Sequence, residues 1–146
     1  MANTVTFQAT GTSSKMKTEL KMGNHGMIID EPPSMGGTDT GPDPLSTLLA
    51  ALAGCENVIA NLVAKEMKFD LQGIEFDVKG DLDPRGLMGK ADVQPYFNQV
   101  YVYAKVTTDE TVERIQELKE KTDARCPVFT TFEAAGIPIE ANWEKA

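Results

Sequence analysis

The chain has 146 residues, 41% of them apolar and 25% charged, and carries a formal net charge of −8. This is ordinary globular composition, and one domain of that length buries roughly 70% of the surface its unfolded chain exposes, so a disordered or collagen-like chain is excluded and 1–146 reads as a single domain. The acid excess and the scatter of Lys and Arg argue against a nucleic-acid partner. The longest apolar stretch, Leu48 to Ala53, is interrupted by Glu56 and Asn57 before the roughly 18 residues of a membrane span.

The segment Met1 to Phe7 lacks the charged start and apolar core of a secretion signal, so a cytoplasmic address is expected. In a reducing compartment the two cysteines, Cys55 and Cys126, are packing residues, metal ligands or sites of reversible sulfur chemistry. Composition leaves all three open.

Met16, Leu20 and Met22 share one parity between polar neighbours, and Gly23-Asn24-His25-Gly26 supplies a turn before Met27-Ile28-Ile29, which predicts a hairpin. From Asp30 to Asp43 the Pro, Gly, Thr and Asp content predicts a loop. Asp43 suits a helix N-cap and Pro44 the first helical position, so a long helix is expected from there to about Lys68. Its apolar stripe is Leu45, Leu48, Leu49, Leu52, Ile59, Leu62 and Val63, with Cys55 on the same face. Ala50, Ala51, Ala53 and Gly54 form a flank of small side chains against which a second helix can pack closely.

Ile74, Phe76 and Val78 alternate with charged residues, and Val100, Val102, Ala104 and Val106 alternate with Tyr101, Tyr103 and Lys105. Both stretches predict half-buried strands. Asp81 to Phe97 between them reads as a long, mobile connection. Asp109 is the expected N-cap of a helix through Lys121, with Val112, Ile115 and Leu118 inward and Glu110, Glu113, Glu117 and Glu120 in solvent. Cys126-Pro127 opens a short helix that ends at Gly136, and Ile137, Ile139 and Ala141 alternate as a final strand. Strands, a long helix, strands, two helices and a strand, without regular βαβ alternation, indicate an α+β fold.

A thiol opening a helix meets unpaired N–H groups and the positive end of the helix dipole, so Cys126 has a local setting that favours thiolate, with Arg125 beside it as a further cation. Cys55 lies mid-helix, where the sequence offers no activation and simple packing is the plain alternative. Glu56 interrupts a small, apolar helix face and is either a site residue or a surface charge, since an unpaired buried carboxylate is costly. Phe129 and Phe132, about one helical turn beyond Cys126, are the candidate pocket walls, together with Leu52. His25 is the only histidine, and close-spaced ligand pairs such as C-x-x-C are absent, so no metal or other cofactor is expected.

Gly37, then Gly41-Pro42-Asp43-Pro44-Leu45-Ser46-Thr47-Leu48-Leu49-Ala50-Ala51-Leu52-Ala53-Gly54-Cys55, and the distant Cys126-Pro127 leading through a short amphipathic segment to a terminal strand, resemble the OsmC/Ohr family of osmotically inducible and organic hydroperoxide resistance proteins. The resemblance runs from about Lys21 to Trp143. It implies an intertwined homodimer with long central helices wrapped by antiparallel sheets. It further implies that Cys55 is the peroxidatic cysteine, attacking an organic hydroperoxide to become a sulfenic acid, and that Cys126 resolves it as a disulfide which an external dithiol, such as a lipoyl protein, reduces.

The chain departs from the pattern of the efficient hydroperoxidases in this family, which carry a glutamate after the helix-opening proline and an arginine in the N-terminal sheet. Leu45 follows Pro44 here, and no arginine precedes Arg85. The resemblance is therefore to the broader OsmC-like group, for which a binding or thiol-carrier protein is the alternative to a peroxidase. Replacement groups within the sequence are Glu56, Arg125, Lys15, Lys17 and Lys21.

Overall fold

A computed structural model describes residues 3–146 and shows an α+β chain with two three-stranded sheets. It divides into two compact units, Met1–Leu48 and Leu49–Ala146, with the boundary inside the long helix.

In the first unit, β1 (Thr10–Ser14), β2 (Lys17–Met22) and β3 (His25–Ile29) form an antiparallel meander with β2 in the middle. The expected hairpin is β2–β3, closed at Gly23 with φ 62°, a left-handed conformation that suits glycine. β1 is an additional partner. Thr18, Leu20 and Met22 share the half-buried parity, but Met16 falls in the β1–β2 turn and is exposed, so it does not continue the stripe.

The loop after β3 is organised by Asp30, which is fully buried. Its carboxylate accepts from the Thr38 and Thr40 hydroxyls, each at 2.7 Å, and from the backbone N–H groups of Glu31, Thr38 and Thr40. The Asp30 N–H donates to the Pro42 carbonyl at 3.0 Å. Gly37 is needed here because a Cβ would collide with the Glu31 carbonyl. Among the described residues of this unit no apolar side chain is buried.

Helix α1 (Pro44–Met67) starts as expected: the Asp43 carboxylate accepts from the Ser46 N–H at 2.8 Å. It stops where Lys68 turns left-handed at φ 54° and the Phe69 N–H returns to the Ala64 carbonyl. Its buried residues are Leu52, Glu56, Ala60, Val63 and Ala64. The predicted leucine stripe is thus corrected: Leu45, Leu48 and Leu62 are exposed, because the buried face of the helix is the one that carries Leu52, Glu56, Ala60 and Val63. At Gly54 the small-residue flank is open, since a Cβ there would meet no neighbouring atom among the described residues. By length and composition α1 is apolar enough to cross a membrane, contrary to the reading of its interrupted apolar run.

In the second unit β4 (Gly73–Asp81) pairs antiparallel with β5 (Gln99–Thr107), setting Phe76 opposite Ala104 and Val78 opposite Val102. The final strand β6 (Ile139–Lys145) pairs with β5 in parallel. The antiparallel sheets that the resemblance implies hold for the β1–β2, β2–β3 and β4–β5 pairs, and β6 departs from them because it follows β5 through a helical crossover, the connection that parallel pairs require. The 81–97 connection contains a one-turn helix, α2 (Pro84–Leu87), capped by Asp83.

Helix α3 (Val112–Arg125) is capped by Thr111, whose hydroxyl accepts from the Arg114 N–H at 3.2 Å. Asp109 is therefore not the cap, and the helix lies later than expected. Val112 in its first turn is exposed, whereas Ile115 and Leu118 are buried as expected. Glu110 is half-buried and accepts from the Asp70 N–H at 2.9 Å and from Arg114, so it does not belong to the solvated face. Helix α4 (Pro127–Ala134) ends before Gly136, whose φ of 78° marks the expected left-handed stop. Two apolar clusters make the core: one around Val63, Val106, Ile115, Leu118 and Trp143, the other around Leu52, Val100, Val102, Phe129 and Phe132.

Candidate functional site

Cys126 stands at the junction of two helices. Its N–H donates to the Thr122 carbonyl at 2.9 Å, closing α3, and its sulfur accepts from the Phe129 N–H at 3.4 Å, opening α4 ahead of Pro127. The predicted helix-terminal position is correct, yet the predicted thiolate is not. Cys126 is fully buried, and burial, followed by the influence of the neighbouring Cys55, pushes its pKa up to about 12, against the lowering effect of the Phe129 N–H. Removal from water outweighs the helix terminus.

Cys55 is half-buried on α1 and packs against the cluster that contains Cys126. Both cysteines are thiols, with no disulfide between them. Folding therefore brings together the two sulfurs that the sequence separates, and it gives them unequal access to solvent.

Glu56 is not a surface charge. It is fully buried, and neither carboxyl oxygen has a hydrogen-bond partner. Burial first, and then the Asp123 carboxylate, push its pKa up to about 9, so it is a neutral acid at pH 7. The Cys126 thiol acts in the opposite direction and Cys55 adds to the rise, which makes Cys55, Cys126 and Asp123 the titratable neighbours of this carboxyl. Asp123 is held by Lys119 at 3.1 Å through one oxygen, while its other oxygen and the Thr122 hydroxyl are buried without partners.

Arg125 is not part of this group. Its guanidinium donates to Glu66 at 2.7 Å on the exposed side of the helices, so the cation adjacent in sequence does not serve the thiol. Leu52, Phe129 and Phe132 are buried around Cys126, with the Phe132 ring 6.4 Å from that of Phe97. Phe129 also borders a groove of about 490 Å³ shared with Lys119, Asp123, Glu133 and Ile139. Leu45 is exposed at the start of α1. His25 opens β3 in an exposed position, Lys15 and Lys21 are exposed, and Lys17 lies 4.0 Å from Glu19.

Asp123 is the member of the cluster that sequence reasoning missed. Its spacing from Lys119 reads as an ordinary helical ion pair, and only the packing of α3 on α1 reveals the second, buried oxygen. For Glu56 a signal did exist: it lies four residues after Leu52 and four before Ala60, on the face that is buried.

The family model of OsmC-like proteins matches residues 37–142. No curated protein matches the chain in sequence. Among solved structures the chain is similar to the OsmC-like protein of Mycoplasma pneumoniae, at TM-score 0.84 and 19% identity over 97% of this chain and 98% of that one. It is also similar to the organic hydroperoxide resistance protein OsmC of Legionella pneumophila, at 0.72 and 18% over 99% of each. The organic hydroperoxide resistance protein OhrB of Bacillus subtilis matches at 0.64 and 22% over 97% and 98%. At these identities the likeness speaks for the fold.

Proposed function

The chain belongs to the OsmC-like family, and from that premise we propose that it is a two-cysteine peroxidase that reduces organic hydroperoxides. The thiolate of Cys55 attacks the outer peroxide oxygen, the O–O bond breaks, and the alkoxide leaves and takes a proton as the alcohol. Cys55 is now a sulfenic acid, which Cys126 converts to a disulfide with release of water. An external dithiol, of which a lipoyl group is one kind, restores both thiols.

The observation that carries this reading is the unequal exposure of two adjacent sulfurs: Cys55 is half-buried and Cys126 has no exposed surface. The roles follow from access. A peroxide meets Cys55, and the resolving thiol waits behind it, protonated and held on the Phe129 N–H. Leu52, Phe129 and Phe132 supply apolar walls suited to an alkyl substituent.

The proposal includes a reducing, cytoplasmic compartment and a second copy of the chain. In favour of a homodimer, Leu48, Val58 and Leu62 are exposed along α1 beside the open flank at Gly54. A binding or thiol-carrier protein is the competing reading, favoured by Leu45 in the place of the glutamate that efficient hydroperoxidases carry.

Treating the reduced protein with cumene hydroperoxide and a dithiol decides between them. A peroxidase consumes the hydroperoxide catalytically, Cys55→Ser abolishes consumption, and Cys126→Ser without the dithiol consumes a single equivalent and stops at the sulfenic acid. A hydroperoxide that is not consumed, or consumption that survives Cys55→Ser, would rule the peroxidase out.

A further inference from the structure

The disulfide step poses a proton problem that the fold makes specific. Cys126 must lose a proton as it attacks, the hydroxyl on Cys55 must gain one as it leaves, and Cys126 has no surface through which bulk water can take part. Glu56 follows Cys55 on α1 and has Cys126 as a neighbour, and both of its oxygens are buried and unpartnered. A carboxyl kept for structure is expected to be saturated with donors, as Asp30 is in the same chain. An unsaturated one beside two reacting sulfurs calls for a chemical explanation.

Resting on the peroxidase reading above, we propose that Glu56 is the acid–base group of the disulfide step, accepting the proton of the Cys126 thiol and donating its own to the hydroxyl that leaves Cys55. The balance is complete within the site. The Cys126 sulfur forms the S–S bond, the S–O bond of the sulfenic acid breaks, and its electron pair departs with the oxygen. One carboxyl oxygen of Glu56 receives the Cys126 proton while the other delivers a proton to that oxygen, forming water. Glu56 ends in the state in which it began.

The surroundings keep this acid loaded. The titratable groups that face it are Cys55 on its own helix, Asp123 on α3 and Cys126 at the start of α4. None of these is a cation, and Lys119, the partner of Asp123, is engaged with that carboxylate. Burial and a neighbouring carboxylate hold the proton on Glu56 until a base forms, and the leaving hydroxide is such a base.

The test is a single turnover of the 146-residue chain with one equivalent of cumene hydroperoxide, following peroxide loss and disulfide formation separately and trapping sulfenic acid with dimedone. In Glu56→Gln the disulfide step is expected to slow by about a hundredfold, so that trapped sulfenic acid accumulates, and Glu56→Asp is expected to recover part of the rate. The wild-type disulfide rate should fall as Glu56 ionises in alkaline solution, and the Gln variant should lack that fall. A Gln variant that closes the disulfide at the wild-type rate, or an Asp variant no faster than Gln, would overturn the assignment. Should the variants not fold, infrared spectra of the reduced wild type decide: a glutamic acid carbonyl band at pH 7, moved by carbon-13 glutamate, is expected, and its absence overturns the proposal. Wild-type protein that consumes no peroxide would instead show that the peroxidase reading itself had failed, and the glutamate assignment with it.

Discussion

Among the described residues, the carboxyl groups of Asp30 and Glu56 have lost all contact with solvent, and the two units treat them in opposite ways. In the first unit Asp30 is surrounded by hydroxyl and amide donors from Glu31, Thr38 and Thr40, which hold its pKa well below the usual carboxylate range, so it is an anion that ties a loop. In the second unit Glu56 has no donor at all and shares its surroundings with Asp123, so it is a neutral acid in an apolar wall. The difference teaches that burial alone does not decide the charge of a carboxyl. The supply of donors does.

The strongest way to break the contrast is to flood the second unit. Leu52→Ala removes a fully buried side chain one turn before Glu56 and should destabilise the protein by about 2–5 kcal/mol in urea unfolding. If apolar burial is what keeps Glu56 protonated, the same variant should weaken the pH dependence of stability described next.

For Glu56 the sign follows from the raised pKa. The folded state holds a proton that the unfolded chain releases above about 4.5, so its contribution to stability is fully present below that pH and is lost as pH rises through about 9. Glu56→Gln removes the ionisation and should raise stability at pH 8 by about 1–3 kcal/mol, with little change at pH 4. Unfolding curves at the two pH values check this, and an equal effect at both would show that Glu56 is ionised in the folded protein.

Asp30 runs the other way. Its depressed pKa means that its contribution is present above the ordinary carboxylate value of 3.8 and is lost only as the pH falls below it. Asp30→Asn should lower hydrogen-exchange protection at the Thr38 and Thr40 amides by about tenfold at neutral pH, and the wild-type loop should loosen in acid alone. The smallest effect is expected at Arg125, whose partner Glu66 is exposed. Arg125→Ala should leave both the melting temperature and the alkylation rate of the cysteines unchanged, whereas slower alkylation would return the guanidinium to the site.

What the sequence by itself determined are the features written within a few neighbouring residues: the alternation of β4 and β5, the Asp43-Pro44 start of α1, the Cys126-Pro127 opening of α4 and the stop at Gly136. Strand period, capping and left-handed glycine act over one or two turns of chain, so they are readable without knowing what lies opposite. The resemblance carried by Cys55 and Cys126 named the family for the same reason, being a pattern of residues. Only the tertiary structure decided which face of α1 is buried, that β6 joins β5 in parallel, that Arg125 turns to Glu66, and that Cys126 and Glu56 keep their protons. Each of these depends on removal from water by segments distant in the chain, and the electrostatic consequence of that removal exceeds what the adjacent residues or a helix terminus supply.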